Sequence, residues 1–561
     1  MSSQHGWWDP VHRDAKALLP AVWIRASLPG RQVGFASLKH AYLYHIYVLI
    51  DMSTSLFRST TLVSGMTAIS RILGFLRDML IAQIFGATSD IDAFYVAFRI
   101  PNFMRGLFAE GAFAQAFVPV LSEYRQRRTP QETKQFISHM QGSLLLALLM
   151  LTALALLFTP ELTRLFAPGF VRDSHRFELT TYLLRITFPY LLLICMTAFY
   201  ASILNAYGAF GASAFTPALL NVTLVAAALW LTPHFQEPVT GLAWGVFIAG
   251  IIQFLFLKPF LFVKKMLLMP RLCWRDEGVR RVVKLLIPAL FGVSVAQISL
   301  LLDTLFASFL PVRSITWLYY SDRLTYFPLG IFGVALATVI LPHLSKKHAD
   351  ASLKEFSMTM DWALRCVLII ALPAAVGLYM LATPLFSALF QYGKFHAQDV
   401  IMASLSLKAY AVGLPAFMLV KVLASGFYSR QDIKTPVRIA ILSLIVNMAL
   451  NFMLIGSLKH VGLALATSLS SSINAGLLGW YLIKKGGYSP QRSWLLYLLR
   501  LLIASSAIYG VISVFSPSEN QWLTESWQWR VWHLTGLLFA SIVIYFLCLR
   551  IMGLKVKHFR V

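Results

Sequence analysis

Arg71, Arg77, Arg99 and Arg105 fall within one short window of this 561-residue chain, inside hydrophobic stretches long enough to cross a membrane. An arginine near the middle of a membrane helix costs about 2.5–3.5 kcal/mol, so chains keep one where it faces a wet cavity or a partner charge. Arg71 and Asp78 are seven residues apart and share a helix face, as do Asp92 and Arg99. For Asp78, Asp92 and Arg99 this spacing reads as internal salt bridges that fix helix packing. Arg71, Arg77 and Arg105 then exceed the local acids, with Glu110 the remaining acidic candidate. Their excess predicts an anion-binding cavity within the membrane. The guanidinium suits that task because its planar fork grips phosphate or carboxylate through two bonds and never loses its proton. The run Tyr319-Tyr320-Ser321-Asp322-Arg323 places a further arginine beside aromatic rings, and Lys421 is a further candidate.

A second constellation offers oxygen. Asp303, Asn447, Asn451 and Thr467 all lie in expected spans, with the two asparagines four residues apart on one face. Such donors suit a hard cation, Na+ in the sharper version. They suit interhelical hydrogen bonds equally well.

The elements that carry these residues follow from composition. The chain is 58% hydrophobic and 13% charged, with a mean hydropathy of +0.68. That is too little polar surface for a soluble protein of this length, so the class is an all-α polytopic membrane protein. Fourteen spans are expected, starting near Thr60, Asp92, Phe136, Thr180, Ala214, Gly241, Val282, Ile315, Phe356, Ile401, Val437, Gly462, Trp494 and Val531. The net charge of +24 resides mostly in loops between spans, which speaks for membrane orientation and not for nucleic acid. Even-numbered connections and the tail hold 22 lysines and arginines, against 7 in the odd-numbered ones. That bias puts both termini in the cytoplasm.

Motifs recur in order across the chain. Asp78-x-Leu80-x-Ala82 answers Asp303-x-Leu305-x-Ala307, and Arg99 answers Arg323, at separations of 225 and 224 residues. Pro119-x-Leu121-Ser122 answers Pro342-x-Leu344-Ser345 at 223. The repeat predicts two six-helix lobes in parallel arrangement, a frequent plan among alternating-access transporters. The expected divisions are an extension over 1–51, which reads as an over-long start or a dispensable arm, and lobes over 52–270 and 271–486. The last division, 487–561, holds a terminal helix pair and a tail. Cys195, Cys273, Cys366 and Cys548 are scattered and show no metal spacing. No GxxxxGK[ST] loop, paired-carboxylate site or nucleophile motif supports an enzyme.

The runs SRILGFLRD, RIPNFMRGLFAEGAFAQAFVPVLSEY, YYSDRLTYFPLGIFGVALATVILPHLS, and FQYGKF followed by GFYSRQDIKTPV closely resemble the MurJ (MviN-like) family. The resemblance runs from Met52 to the C-terminus. It implies a flippase for the lipid-linked peptidoglycan precursor lipid II in the bacterial inner membrane, serving cell-wall synthesis and contacting its machinery. It further implies a central cationic cavity in which Arg71, Arg77, Arg105 and Arg323 match essential arginines and Asp92 an essential aspartate. The terminal pair would form a groove for the prenyl tail, and Asp303, Asn447, Asn451 and Thr467 would match a Na+ site. Where relatives often carry a glutamate after the YxDR motif, this chain has Tyr326. The rival reading is a drug or polysaccharide-lipid exporter of the same superfamily, whose cavity would be rich in acids instead of arginines. Orientation has a direct check in a cysteine-free background. A membrane-impermeant thiol reagent added to intact cells should label Lys394→Cys, in an odd-numbered connection, and leave Lys484→Cys unlabelled.

Overall fold

The computed structural model describes residue 63 and residues 65–107, 112–349, 352–485, 487–491 and 493–554; at 291–296 and 349 it describes backbone alone. The expected extension over 1–51, the first residues of the span at Thr60, Glu110 and the tail beyond 554 lie outside these residues. The chain divides into units Met1–Thr67 and Ala68–Val561, and nearly all described residues belong to the second.

The regular structure is helical, with no strand among the described residues. In lipid each backbone N–H and C=O needs a partner from its own segment, which a helix supplies. Divided as the sequence repeat predicts, the first lobe would run through α1 (65–85), α2 (Ser89–Leu107), α3 (Phe113–Arg127), α4 (Pro130–Leu157), α5 (Thr159–Phe166), α6 (Ser174–Thr187), α7 (Tyr190–Ala206), α8 (Phe210–Ala226) and α9 (Val239–Val263). The second would hold α10 (Glu277–Ser308), α11 (Ser314–Pro328), α12 (Val334–Ala349), α13 (Leu353–Met380), α14 (Ala382–Leu389), α15 (Ala397–Tyr428) and α16 (Lys434–Lys484). The terminal pair is α17 (Trp494–Phe515) and α19 (Trp527–Ile551), with the short α18 (Glu519–Thr524) between them.

Ten helical stretches are long and apolar enough to cross a membrane. One of them, α16, turns at Lys459, whose φ is 51°. Its halves fold back on each other: Ser443 Oγ donates to the Ser470 carbonyl at 2.8 Å. The expected spans 11 and 12 therefore both lie in α16. The remaining expected positions fall on α1, α2 and α10, the helices that carry the charged residues singled out above. Two stretches, Ala227–Leu231 and Leu329–Gly333, wind as π-helix, the second joining α11 to α12.

The lobes meet along a seam at the end that carries the odd-numbered connections. Lys394 N donates to the Gln83 carbonyl at 2.9 Å. Gly86 turns there with φ +64°, and a Cβ on it would come within 2.2 Å of the Lys394 carbonyl oxygen. Gly169 N donates to Ser308 Oγ at 3.0 Å, and a Cβ on Gly169 would meet the Ser308 carbonyl oxygen at 2.2 Å. At the even-numbered end the lobes are joined by ion pairs from α10, Arg281 with Glu123 at 2.8 Å and Glu277 with Arg128 at 3.8 Å.

The connection before α10 is seated on α4. Arg271 N donates to the Ser138 carbonyl at 3.1 Å, Ser138 Oγ donates to the Met269 carbonyl at 2.5 Å, and His139 pairs with Asp276 at 2.8 Å.

The terminal pair is clamped to the second lobe at both ends. Near one end, buried Asp361 of α13 accepts from Tyr488 Oη at 2.8 Å and from Trp494 Nε1. Arg365 pairs with it at 2.7 Å and lies 5.2 Å from the ring centroids of both Trp494 and Tyr497. At the other end Arg530 is 6% exposed. It donates to the carbonyls of Ser387 and Leu523, near the C-termini of α14 and α18, where helix dipoles favour a cation. Opening the seam has a direct readout. Gly169→Val should raise thiol labelling of a Ser308→Cys probe, a position now 1% exposed, while the Ser308→Cys protein with Gly169 intact stays protected.

Candidate functional site

The charged site begins on the inner side of the seam. Arg77 of α1 is 5% exposed and Asp78 2%. Arg77 Nη2 donates to Asp78 Oδ1 at 2.5 Å, Nη1 to Asn221 Oδ1 at 3.0 Å and Nη2 to Tyr319 Oη at 3.2 Å. Asn221 in turn donates to the Ser70 carbonyl at 2.9 Å, which fixes its amide. From the second lobe, Arg323 Nε lies 3.3 Å from Asp78 Oδ2, and its Nη2 donates to Tyr319 Oη at 3.0 Å. Tyr319 Oη also lies 3.2 Å from Asp78 Oδ1, and its ring stacks on Tyr95 with centroids 4.0 Å apart. One carboxylate thus sits between two guanidiniums from different lobes, with a phenol as hub. Tyr319 and Arg323 are four residues apart on α11, which points both side chains the same way.

The other expected arginines lie farther from the seam. Arg71 is exposed and rests against the π-helical stretch of the second lobe, where a Cβ on Gly330 would meet its Nη1 at 2.2 Å. Arg105, half-buried near the C-terminus of α2, donates from Nε to Asn102 Oδ1 at 2.9 Å. With a rise of about 1.5 Å per residue, Arg77 stands ~9 Å and Arg71 ~18 Å along α1 from the seam at Gln83. The arginines therefore form a ladder running from the seam toward the even-numbered end.

Asp92, expected with the arginines, is placed elsewhere. It is 1% exposed, and both its oxygens are taken by the start of α11. Oδ2 accepts from Arg313 N at 2.6 Å, and Oδ1 accepts from Thr316 N at 2.9 Å and from Thr316 Oγ1 at 2.5 Å. A first-lobe carboxylate thus caps a second-lobe helix, satisfying N–H groups left free at its N-terminus. The pairings expected within single helices give way as well. Asp78 takes Arg77 and Arg323, and Arg99 donates to Thr304 Oγ1 at 2.7 Å. Asp78 thus takes the adjacent Arg77 of its own helix and Arg323 of the other lobe in place of Arg71, and Asp92 and Arg99 find partners in the other lobe.

Asp303, Asn447, Asn451 and Thr467 do come together. Asn451 Nδ2 donates to Asp303 Oδ1 at 3.0 Å and to Asn447 Oδ1 at 3.2 Å, and Asn447 Nδ2 reaches Thr467 Oγ1 at 3.4 Å. Asn451 is fully buried, yet its Oδ1 has no hydrogen-bond partner. A carboxylate, amide oxygens, a hydroxyl and an orphaned buried acceptor fit a hard cation. The group borders a cavity of about 410 Å³ lined by Arg99, Asp303, Asp322, Tyr326, Tyr410, Lys421 and Thr467, among others. None of the four arginines of the ladder lines that cavity, and Tyr326 does.

Sequence spacing did not single out Tyr319, Asn221 or Gly330 as parts of the site. The signal for Tyr319 lay in its position four residues before Arg323 in the Tyr-Tyr-Ser-Asp-Arg run. Asn221 and Gly330 carry no comparable local sign.

Asp78→Ala should leave the Arg77 guanidinium buried without its counter-charge. The expected cost is about 3–5 kcal/mol, read as a lower melting point of the detergent-purified protein, whereas exposed Arg71→Ala should leave the melting point nearly unchanged.

The comparisons agree on one family. The profile described as "Lipid II flippase MurJ" matches residues 81–532. A protein of Haemophilus influenzae named "Probable lipid II flippase MurJ" is 44% identical over 506 residues, covering 88% of this chain and 99% of that protein. The "Lipid II flippase MurJ" of Burkholderia cenocepacia is 40% identical over 521 residues, covering 90% and 99%. Among solved structures, a "Lipid II flippase MurJ, inward closed conformation" aligns with a TM-score of 0.75 at 28% identity, over 88% of this chain and 98% of that one. An inward-facing multidrug transporter of the MATE family aligns at 0.66 and 14% identity, over 74% and 94%, which shows a shared fold. With this coverage and identity, the chain belongs to the MurJ lipid II flippase family.

Proposed function

We infer that this multi-pass membrane protein moves lipid II from one leaflet to the other. The observation that carries the reading is the arginine ladder of Arg71, Arg77, Arg105 and Arg323 on the inner side of a sealed seam, within a chain of the MurJ family. Lipid II presents a diphosphate, two sugars, a peptide with carboxylates and a prenyl tail. In an apolar surround, fixed guanidiniums replace the water that a diphosphate would lose. Arg71 is the accessible receiver, and Arg105 is held by Asn102 farther along the ladder. Arg323, with its side chain 45% exposed, can exchange the Asp78 carboxylate for a phosphate oxygen.

We place the function in the bacterial inner membrane with both termini cytoplasmic, so that the ladder opens toward the cytoplasm and the seam closes the periplasmic side. Asp92 then acts on the seam: while it caps α11, the lobes stay joined at that end. The prenyl tail would run along α17 and α19, which move with the second lobe because they are clamped to it at both ends. Asp303, Asn447, Asn451 and Thr467 would hold Na+, whose charge would satisfy the orphaned Asn451 oxygen. An inward ion gradient or the membrane potential, worth about 2.3 kcal/mol per charge per 100 mV, would bias the return step. Contacts with the cell-wall synthesis machinery belong to the same reading. The superfamily exporter alternative loses ground because the ladder is cationic.

The test is exposure of lipid II on the outer face of cells depleted of the protein, read with an externally added lipid II-cleaving probe. Cleavage should stop on depletion and return with the wild type but not with Arg105→Ala or Arg323→Ala present at normal membrane levels. Undiminished cleavage after depletion would overturn the reading.

A further inference from the structure

Three connections of the first lobe converge at its odd-numbered end, and each brings one side chain able to ligate a metal. Asp90 and His175 are the second residues of α2 and α6, and Glu237 immediately precedes Pro238 and α9. Their ligand atoms all lie within 4.8 Å of one another, the one group of its kind among the described residues. His175 Nε2 stands 3.3 Å from Asp90 Oδ1. Around a tetrahedral zinc ion, with bonds of about 2.0–2.2 Å, neighbouring donors stand roughly 3.3 Å apart. The histidine–aspartate pair is already at that spacing, and a modest rotation would bring the glutamate to it.

Charge and position argue the same way. In a chain with net charge +24, no lysine or arginine among the described residues pairs with Asp90 or Glu237. Carboxylates at helix N-termini are ordinary, because the dipole favours them there. The histidine among them adds a nitrogen ligand to the two acids. An imidazole beside Asp90 and within reach of Glu237 suits a divalent ion, whose charge the two acids balance; Asp90 Oδ1 also accepts from Ser89 Oγ at 2.9 Å. One nitrogen with two oxygens selects the zinc class over magnesium or calcium, which prefer all-oxygen shells. The His175 side chain is 56% exposed and that of Asp90 32%, so an ion can enter from water and keep a water ligand.

We propose that Asp90, His175 and Glu237 form a binding site for a divalent metal ion of the zinc class, bonding α2, α6 and α9 together at the odd-numbered end. Asp90 lies two residues before Asp92, which caps α11 across the seam. An ion here ties down the first-lobe face of that joint, and it does so whether or not the cargo is lipid II.

The experiment uses the full-length protein in detergent, without a polyhistidine tag, stripped with chelator and titrated with ZnCl2 or MgCl2 by calorimetry and thermal unfolding. The expected result is one saturable zinc per chain with a raised melting point, and no comparable effect of magnesium. His175→Ala, Asp90→Asn and Glu237→Gln should each weaken zinc roughly tenfold or more. Any variant counted must match the melting point of the metal-free wild type; Glu237→Gln, at an exposed side chain, is the mildest. Absence of saturable zinc binding, or binding unchanged in the variants, would overturn the site. So would a melting point that follows histidine protonation and ignores zinc.

Discussion

Asp78 is the charge on which the site depends. It lies buried between Arg77 of its own helix and Arg323 of the other lobe, with the Tyr319 hydroxyl donating to it and accepting from both guanidiniums. Two guanidiniums around one carboxylate repel each other, and buried Arg77 has little water to screen it. A carboxylate between them makes the arrangement tolerable, and removing a partner from such a group leaves a buried charge uncompensated. The same geometry links recognition to movement. A ligand anion that takes over Arg323 weakens a bond between lobes, while Arg77 stays anchored by Asn221 in the first lobe.

The seam gives this cluster its direction. At the odd-numbered end backbone meets backbone, through Gly86 against Lys394, Gly169 against Ser308 and the Asp92 cap on α11. Contacts that close need glycine on one side, because a Cβ would overlap a carbonyl. At the opposite end the ion pairs from α10 involve exposed side chains, such as Arg281 at 51% and Glu277 at 83%. Pairs of that kind contribute little and exchange readily with water. The odd-numbered end thus adds the Asp92 cap to its glycine contacts, while the even-numbered end adds solvated ion pairs to the close packing of Gly142 on Arg271 and of Gly278 on Phe136.

The sequence by itself determined the class, the order of the spans and the cation excess. Hydrophobic length and the cost of intramembrane charge are local properties, and a helix is the one open-chain solution in lipid. It also grouped Asp303, Asn447, Asn451 and Thr467 as oxygen donors in expected spans, with the two asparagines on one face. Tertiary structure decided the partners. Arg71 and Asp78 share a helical face, yet Asp78 pairs across the lobe boundary. Asp92 and Arg99 do likewise, yet Asp92 caps a helix more than two hundred residues away in sequence. Periodicity fixes direction around an axis within one helix. Which charge lies nearest depends on how two lobes are set against each other, and that is a property of packing that no single segment encodes.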